Sequence, residues 1–348
     1  MNIELIQALE EIEKDKGIPK DMLLEAIKAA LKSAYGKSGL GSKGNAEIEI
    51  DEENGEVHVY SKKEVVEEVE DEESEISLEK AQNKGYDCEL GQQLRIEVTP
   101  ANFGRIAAQT ARQVVIQRIR EAERDILYQE FVTREGEILT GIIQRYHDDN
   151  VIIDLGRTEA ILIPREQIPN ENYESNERIK VYIVEVEQTT KGPNILVSRT
   201  HPGLLKELFK LEVPEIGDGT VEIKSVAREA GFRSKIAVNS EEEDVDAVGA
   251  CVGPNGQRVR SIVNELNGEK IDIVEWNEDI EVFISNALSP AEVVEVKVEE
   301  DEEVAKVVVP DYQLSLAIGK EGQNARLAAK LTGWKIDIKS ESELDEDE

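Results

Sequence analysis

The chain has 348 residues, of which 39% are hydrophobic and only 4% aromatic, and its formal net charge is −34 at pH 7. This length suits about two to four small domains with aliphatic cores. No apolar run approaches the length of a bilayer span, and the first residues carry no basic region before an apolar stretch. A membrane protein is therefore excluded, export is not expected, and we predict a cytoplasmic protein.

Cysteine and histidine are too sparse and too scattered to form a metal site. Cys88 and Cys251 lie far apart, and we interpret both as reduced thiols. The three histidines, His58, His147 and His201, lie in three different regions. Carboxylates are so abundant that pairing any two as acid and base would be arbitrary. We therefore expect neither catalysis nor a metal nor a cofactor.

The acidic residues are concentrated in the segments 64–79, 241–246, 299–303 and 341–348. Their charge repels polyphosphate at long range, so a nucleic-acid site in this chain must be local and its affinity modest. We interpret 64–79 as a solvated strand edge and linker, and the tail 341–348 as disordered.

The first part of the chain predicts an α/β domain at 1–130. Apolar residues at helical spacing indicate two helices over 1–35, and a Gly- and Ser-rich loop follows at 36–44. Alternating apolar residues around the Asn54-Gly55 turn indicate a hairpin. A long helix is predicted over 102–128.

Short strands and turns replace this pattern from about residue 135. Five strands are predicted, at 138–145, 151–155, 159–163, 179–187 and 195–199. Five strands in about 65 residues suit a small closed barrel of the OB type, here assigned to 131–200. A β-sandwich is the alternative that the pattern leaves open.

The last third contains an internal repeat. Each copy has two strand-like segments, a Gly-x-x-Gly sequence, a helical stretch, a glycine and a final strand. These copies predict two similar α/β domains at 201–276 and 277–340. The repeated sequences are Gly253-Pro254-Asn255-Gly256-Gln257-Arg258 and Gly319-Lys320-Glu321-Gly322-Gln323-Asn324.

A Gly-x-x-Gly loop between two short helices is typical of single-stranded RNA binding. Glycines without a Cβ let a nucleic-acid backbone approach, and the following helix offers free N–H groups to phosphate. An adjacent aliphatic groove can then hold about four nucleotides, as in KH domains. One copy is weak evidence, but two copies in matching contexts, followed by Arg258 and Arg326, are strong evidence. We predict that both hexapeptides and Arg326 contact RNA.

These residues resemble a known family. Residues 201–340 resemble tandem KH domains of the prokaryotic type, and the sequences at 249–253 and 317–328 carry most of this resemblance. The strand-rich segment resembles the ribosomal "S-one" version of the OB barrel, and 102–114 resembles the polymerase-binding domain of NusA proteins. This domain order is that of the NusA family of bacterial transcription elongation, termination and antitermination factors.

The resemblance implies function and partners. A NusA-like protein would bind RNA polymerase core, contact single-stranded nascent RNA, join other Nus-type antitermination factors, and modulate pausing, intrinsic termination and antitermination. We expect a monomer. Arg105 and Arg112 become candidates for contact with polymerase or with emerging RNA, although the residues alone favour a solvated basic face. Asn255 and Glu321 depart from such loops, which often carry a basic residue there. The sequence also ends without the carboxy-terminal repeats of longer relatives, so no autoinhibitory domain is expected.

Two other functions remain open at this point. KH and OB domains also occur together in exoribonucleolytic phosphorylases, although 348 residues leave no room for their catalytic core. A protein scaffold whose KH folds no longer bind RNA is favoured by the net charge of −34. Co-purification with polymerase separates the first alternative from a transcription factor, and RNA binding at two salt concentrations separates the second.

Overall fold

A computed structural model describes residues 3–37, 46–51, 54–72, 74–101, 103–242 and 244–343. Most of the predicted loop at 36–44 and the last five residues of the acidic tail lie outside the described residues. The chain forms two compact units, Met1–Ile126 and Leu127–Glu348. In the described part of the chain, no helix is long and apolar enough to span a bilayer. Nor does any group of three His, Cys, Asp or Glu side chains in that part suit a metal ion.

The first unit combines helices with a four-stranded sheet. Its elements are α1 (Ile3–Lys16), α2 (Lys20–Lys37), β1 (Ala46–Ile50), β2 (Val57–Val66), β3 (Glu75–Ser77), α3 (Leu78–Asn83), β4 (Gln93–Glu97) and α4 (Phe103–Val132), the last of which continues into the second unit. The sheet order is β1-β2-β3, and β4 pairs with β2. The predicted helices and hairpin are present because α2 buries one stripe (Leu24, Ile27, Leu31) and β1 alternates buried and exposed residues.

The acidic segment 64–79 is more structured than predicted. It contains the end of β2, all of β3 and the start of α3. Ile76 is buried in a small core with Val65 and Leu94, and the Ser77 hydroxyl caps α3 by accepting a hydrogen bond from the Lys80 N–H at 3.3 Å. β3 lies at the edge of the sheet, as the strand-edge interpretation expects. The interpretation as a linker was wrong for 75–79, because a single core-facing residue among acids gives no periodic signal.

The second unit begins with the predicted barrel. Its strands are β5 (Ile138–His147), β6 (Asn150–Asp154), β7 (Glu159–Leu162), β8 (Arg178–Thr189) and β9 (Gly192–Ser198). They close in the order β5-β6-β7-β9-β8 around an aliphatic core. Closure confirms the barrel and excludes the sandwich.

Two similarly built α/β repeats follow. The first contains α5 (Pro202–Glu212), α6 (Pro214–Gly217), β10 (Val221–Glu229), β11 (Arg233–Ser240), α7 (Ala247–Val252), α8 (Gln257–Glu265) and β12 (Lys270–Glu275). The second contains α9 (Ile280–Ala287), β13 (Glu295–Glu299), β14 (Val304–Val309), α10 (Leu314–Ile318), α11 (Gln323–Thr332) and β15 (Lys335–Ser340). In each sheet the first two strands are antiparallel and the last is parallel to the second.

A continuous core joins the two repeats. Ala237 and Val274 of the first sheet pack in one cluster with Phe283 and Ile284 of α9 and with residues of α11. Both tryptophans, Trp276 and Trp334, are partly buried against this cluster, as expected for packing residues. The second repeat is thereby fixed against the sheet of the first.

Buried charges anchor the elements around the second repeat's loop. Glu269, which precedes β12, is fully buried and accepts hydrogen bonds from both Nε and Nη2 of Arg228, at 2.8 and 2.9 Å. It also accepts from the Ser234 hydroxyl at 2.6 Å and from the Gly231 N–H at 2.8 Å. Because these donors flank the β10–β11 turn, Glu269 fixes that turn and the neighbouring Glu229.

Candidate nucleic-acid interface

The two Gly-x-x-Gly loops share one backbone conformation. Each is a 3₁₀ turn, Pro254–Gly256 or Lys320–Gly322, between two helices. The first, third and fourth residues of each loop have positive φ: Gly253 (73°), Asn255 (52°), Gly256 (71°), Gly319 (77°), Glu321 (53°) and Gly322 (75°). Asn255 and Glu321 stand at the loop position where KH loops often carry a basic residue, and both side chains are exposed.

Glycine is required at the first loop position. The backbone of Gly253 and Gly319 has ψ of 173° and 171°, a region that side-chain-bearing residues avoid. A Cβ on Gly253 would meet Cγ of Arg258 at 2.6 Å, and one on Gly319 would meet the backbone nitrogen of Asn324 at 2.8 Å. A Cβ on the second glycines, Gly256 and Gly322, would meet only an arginine side chain at ordinary van der Waals distance, 3.9 and 4.0 Å.

The helices after both loops begin without a side-chain cap. Gly256 and Gly322 are the N-cap residues of α8 and α11, and glycine has no side chain to accept from the first N–H groups. By contrast, α7 is capped by Asp246 and α9 by Asp279. The uncapped helix ends can therefore donate to an anion, as phosphate binding requires.

Arg258 lies beneath the first loop and braces it. Its Nη1 donates to Glu215 Oε2 at 2.8 Å and to the Ala250 carbonyl oxygen at 2.6 Å, and its side chain is 25% exposed. Counted from the first glycine, the second repeat has Asn324 at this position. Asn324 is buried and donates to the carbonyl oxygens of Leu288 and Ala317 at 2.9 and 3.1 Å. Both residues hold the preceding helix to the loop.

The exposed arginine of the first repeat is Arg260, which the sequence interpretation missed. Its Nη2 donates to the Asn255 carbonyl oxygen at 3.2 Å. In the second repeat Arg326 Nη1 donates to the Glu321 carbonyl oxygen, also at 3.2 Å. Aligning the repeats on their first glycines would have paired Arg260, not Arg258, with Arg326. Each loop is therefore flanked by one exposed guanidinium.

A cavity of about 790 Å³ lies between the second loop and the first repeat. Residues of the first repeat, including Phe232, Arg233 and Lys270, line it opposite the loop residues Gly319 and Lys320. Arg233 is held by both carboxylate oxygens of Asp272, at 2.8 Å each. The walls thus combine cations and an exposed aromatic ring, which suit single-stranded nucleic acid, with the carboxylates of Glu229 and Glu321.

Arg105 and Arg112 are exposed on α4 within the first unit. Among the described residues neither forms an ion pair, whereas Arg118 on the same helix pairs with Glu121 at 2.9 Å. The opposite side of α4 packs Phe103, Ala107 and Ala111 into the core. The two arginines therefore form a solvated basic stripe that is available to a partner.

Comparison with known proteins gives one consistent assignment. Family models match in chain order: the NusA N-terminal domain at 4–125, the S1 RNA binding domain at 133–198, the NusA-like first KH domain at 199–276 and the NusA-like second KH domain at 280–346. The transcription termination/antitermination protein NusA of Halalkalibacterium halodurans is 61% identical over 99% of this chain and 90% of its own length. The chain belongs to the NusA family.

Other NusA proteins are similar over the same extent. That of Bacillus subtilis is 59% identical over 99% of this chain and 93% of its own length, and that of Thermus thermophilus is 42% identical over 99% and 92%. Among solved structures, the N-terminal domain of NusA from Bacillus subtilis is 48% identical, covering 36% of this chain and 99% of that chain with a TM-score of 0.31. The NusA domain order confirms the predicted fold class, including both KH repeats.

Proposed function

We propose that this NusA-family chain is an RNA-binding transcription factor that associates with RNA polymerase core and modulates pausing, intrinsic termination and antitermination. It does so by contacting single-stranded nascent RNA as a cytoplasmic monomer, alongside other Nus-type antitermination factors. The protein is not an enzyme in this proposal. Its relatives are named transcription termination/antitermination proteins, and its barrel and KH domains belong to RNA-binding families.

One observation carries the RNA-binding part. Two loops with the same backbone precede uncapped helix ends, and each is flanked by an exposed arginine that contacts the loop carbonyl at 3.2 Å. The shared core fixes both loops in one body, so one strand can engage both. We assign phosphate contact to Arg260 and Arg326, and loop bracing to Arg258 and Asn324.

The remaining loop positions have distinct proposed roles. The open backbone at Gly253, Gly256, Gly319 and Gly322 admits the RNA backbone, and Lys320 adds a positive charge. The other exposed or half-exposed side chains contact sugars or bases: Pro254, Asn255, Gln257, Glu321 and Gln323.

The amino-terminal domain carries the proposed polymerase contact, with Arg105 and Arg112 as its candidate residues. We propose domain limits of 1–130, 131–200, 201–276 and 277–340, followed by the tail 341–348. The proposal requires that the first domain binds polymerase and that the two KH domains bind RNA.

Two measurements test the proposal. Immobilised full-length chain should retain purified bacterial RNA polymerase core, and it should bind a labelled single-stranded RNA of about ten nucleotides, enough for two KH sites. An Arg105→Ala/Arg112→Ala variant should lose polymerase but not RNA, and an Arg260→Ala/Arg326→Ala variant should do the reverse. If neither the wild type nor the Arg105→Ala/Arg112→Ala variant binds RNA, the result would instead favour a protein scaffold.

A further inference from the structure

Glu229, the last residue of β10 in the first repeat, contacts the RNA-facing arginine of the second repeat. Its Oε1 accepts a hydrogen bond from Arg326 Nε at 2.5 Å, and its Oε2 accepts from Gln323 Nε2 at 2.9 Å. The Glu229 side chain is 19% exposed, whereas that of Arg326 is 48% exposed. The carboxylate thus reaches the guanidinium from inside the protein.

These three side chains meet at the cavity beside the second loop. Glu229, Gln323 and Arg326 all line it, together with Gly319 and Lys320. Carboxylate and phosphate oxygens bind a guanidinium in the same geometry. An RNA phosphate at this loop and the Glu229 carboxylate would therefore compete for the Nε side of Arg326.

The first repeat lacks this arrangement. Among the described residues Arg260 forms no ion pair, and its contact is the Asn255 carbonyl oxygen. The hydrogen bond from Arg326 lowers the pKa of Glu229, so the carboxylate is ionised at neutral pH. The buried Arg228–Glu269 pair fixes the turn that follows Glu229, so the carboxylate is held in place.

We propose that Glu229 is an intramolecular competitor for phosphate that sets the RNA affinity of the second KH loop below that of the first. The inference rests on the proposed RNA-binding function. While Arg326 is paired with Glu229, its guanidinium is not available to neutralise a phosphate, and this loop binds RNA more weakly. The two loops then differ in affinity although their backbones are alike.

The test uses full-length chain, a labelled single-stranded RNA of about ten nucleotides, and the isosteric variant Glu229→Gln. The amide keeps the shape and an acceptor but removes the charge. Affinity at low salt should rise about 1.4-fold to fivefold, the range of a partly exposed charge pair. The slope of log affinity against log salt should become steeper by about 0.7, the value of one additional neutralised phosphate on a single strand.

Two control variants separate this mechanism from a general charge effect. Glu222 lies on the same strand and pairs with Lys224 at 2.5 Å. The Glu222→Gln variant also removes one negative charge, but it should leave the slope of log affinity against log salt unchanged. In an Arg326→Gln background, Glu229→Gln should no longer steepen the slope, because no guanidinium is released.

The outcomes are distinct. Unchanged or weaker binding by a folded Glu229→Gln variant, with normal binding by the wild type, would show that Glu229 only braces the two repeats and would overturn the inference alone. Equal steepening by Glu222→Gln would also overturn it. If neither the wild type nor any variant binds RNA, both the inference and the proposed function are overturned.

Discussion

Aspartate at the second glycine of both loops, Gly256→Asp with Gly322→Asp, should abolish most RNA binding while the fold persists. A Cβ at Gly256 has its nearest neighbour, Arg260 Nη2, at 3.9 Å, and one at Gly322 has Arg326 Nη1 at 4.0 Å. Both backbones are left-handed, a conformation that aspartate tolerates better than most residues at about 1 kcal/mol. The first glycines would clash and are unsuitable as probes.

The expected effect follows from where the new carboxylates lie. Each would stand at the uncapped helix end, accept from the N–H groups meant for phosphate, and neutralise the adjacent arginine. Losing a few charge-assisted contacts costs about 1–3 kcal/mol per loop. At 1.4 kcal/mol per factor of ten, this is about 5-fold to 150-fold weaker binding for each loop.

Fluorescence anisotropy with a labelled single-stranded RNA measures the loss, and circular dichroism confirms folding. Gly219→Asp is the matched control, because Gly219 has φ of 87°, has no heavy atom within 4 Å of an added Cβ, and lies outside both loops. The control should bind within about twofold of the wild type, since it changes the charge but not the loops. A folded double variant that binds RNA as tightly as the control would refute the assignment of the loops.

Three further predictions concern salt, domains and acid. The slope of log affinity against log salt in filter binding should lie near −2 to −4, for about three to five neutralised phosphates; a slope near zero would indicate a scaffold. In pull-downs, fragment 1–130 should retain polymerase and fragment 200–348 should bind RNA, and the reverse would invert the assigned roles. Burial alone would raise the pKa of Glu269, but hydrogen bonds from Arg228 and Ser234 lower it. The free energy of unfolding, measured by urea denaturation, should therefore fall as pH drops below about 4.5. The decrease should be smaller in the Glu269→Gln variant.

Much of the fold is predictable from periodicity and repetition. The barrel strands alternate buried and exposed residues, as in β5 and β8, and turns separate them. The repeat is visible because both copies keep glycines where positive φ is needed, at Gly253, Gly256, Gly319 and Gly322. A backbone that needs positive φ favours glycine, so the glycines in the sequence predict these turns directly.

The missed features depend on contacts between distant residues. β3 has three residues and one buried side chain, so pairing with β2 decides its structure rather than its own pattern. The bracing contact of Arg258 has no sequence signal, because its partner Glu215 is 43 residues away. The contact between Glu229 and Arg326 spans 97 residues and exists only because the shared core docks the repeats.

We predict that the KH loops touch nascent RNA while the chain is bound to polymerase, and site-specific photo-crosslinking from the loops detects this contact. A photoreactive amino acid is placed at Asn255 or Glu321, the exposed loop positions, and at Leu211 of α5, which is 65% exposed, as a control. Each chain is bound to a halted bacterial transcription complex with a labelled transcript. We predict transcript label on the chains modified at Asn255 and Glu321 and not on the Leu211 chain. If polymerase-bound chains acquire no more transcript label at Asn255 or Glu321 than at Leu211, the KH loops do not touch nascent RNA and the prediction is contradicted.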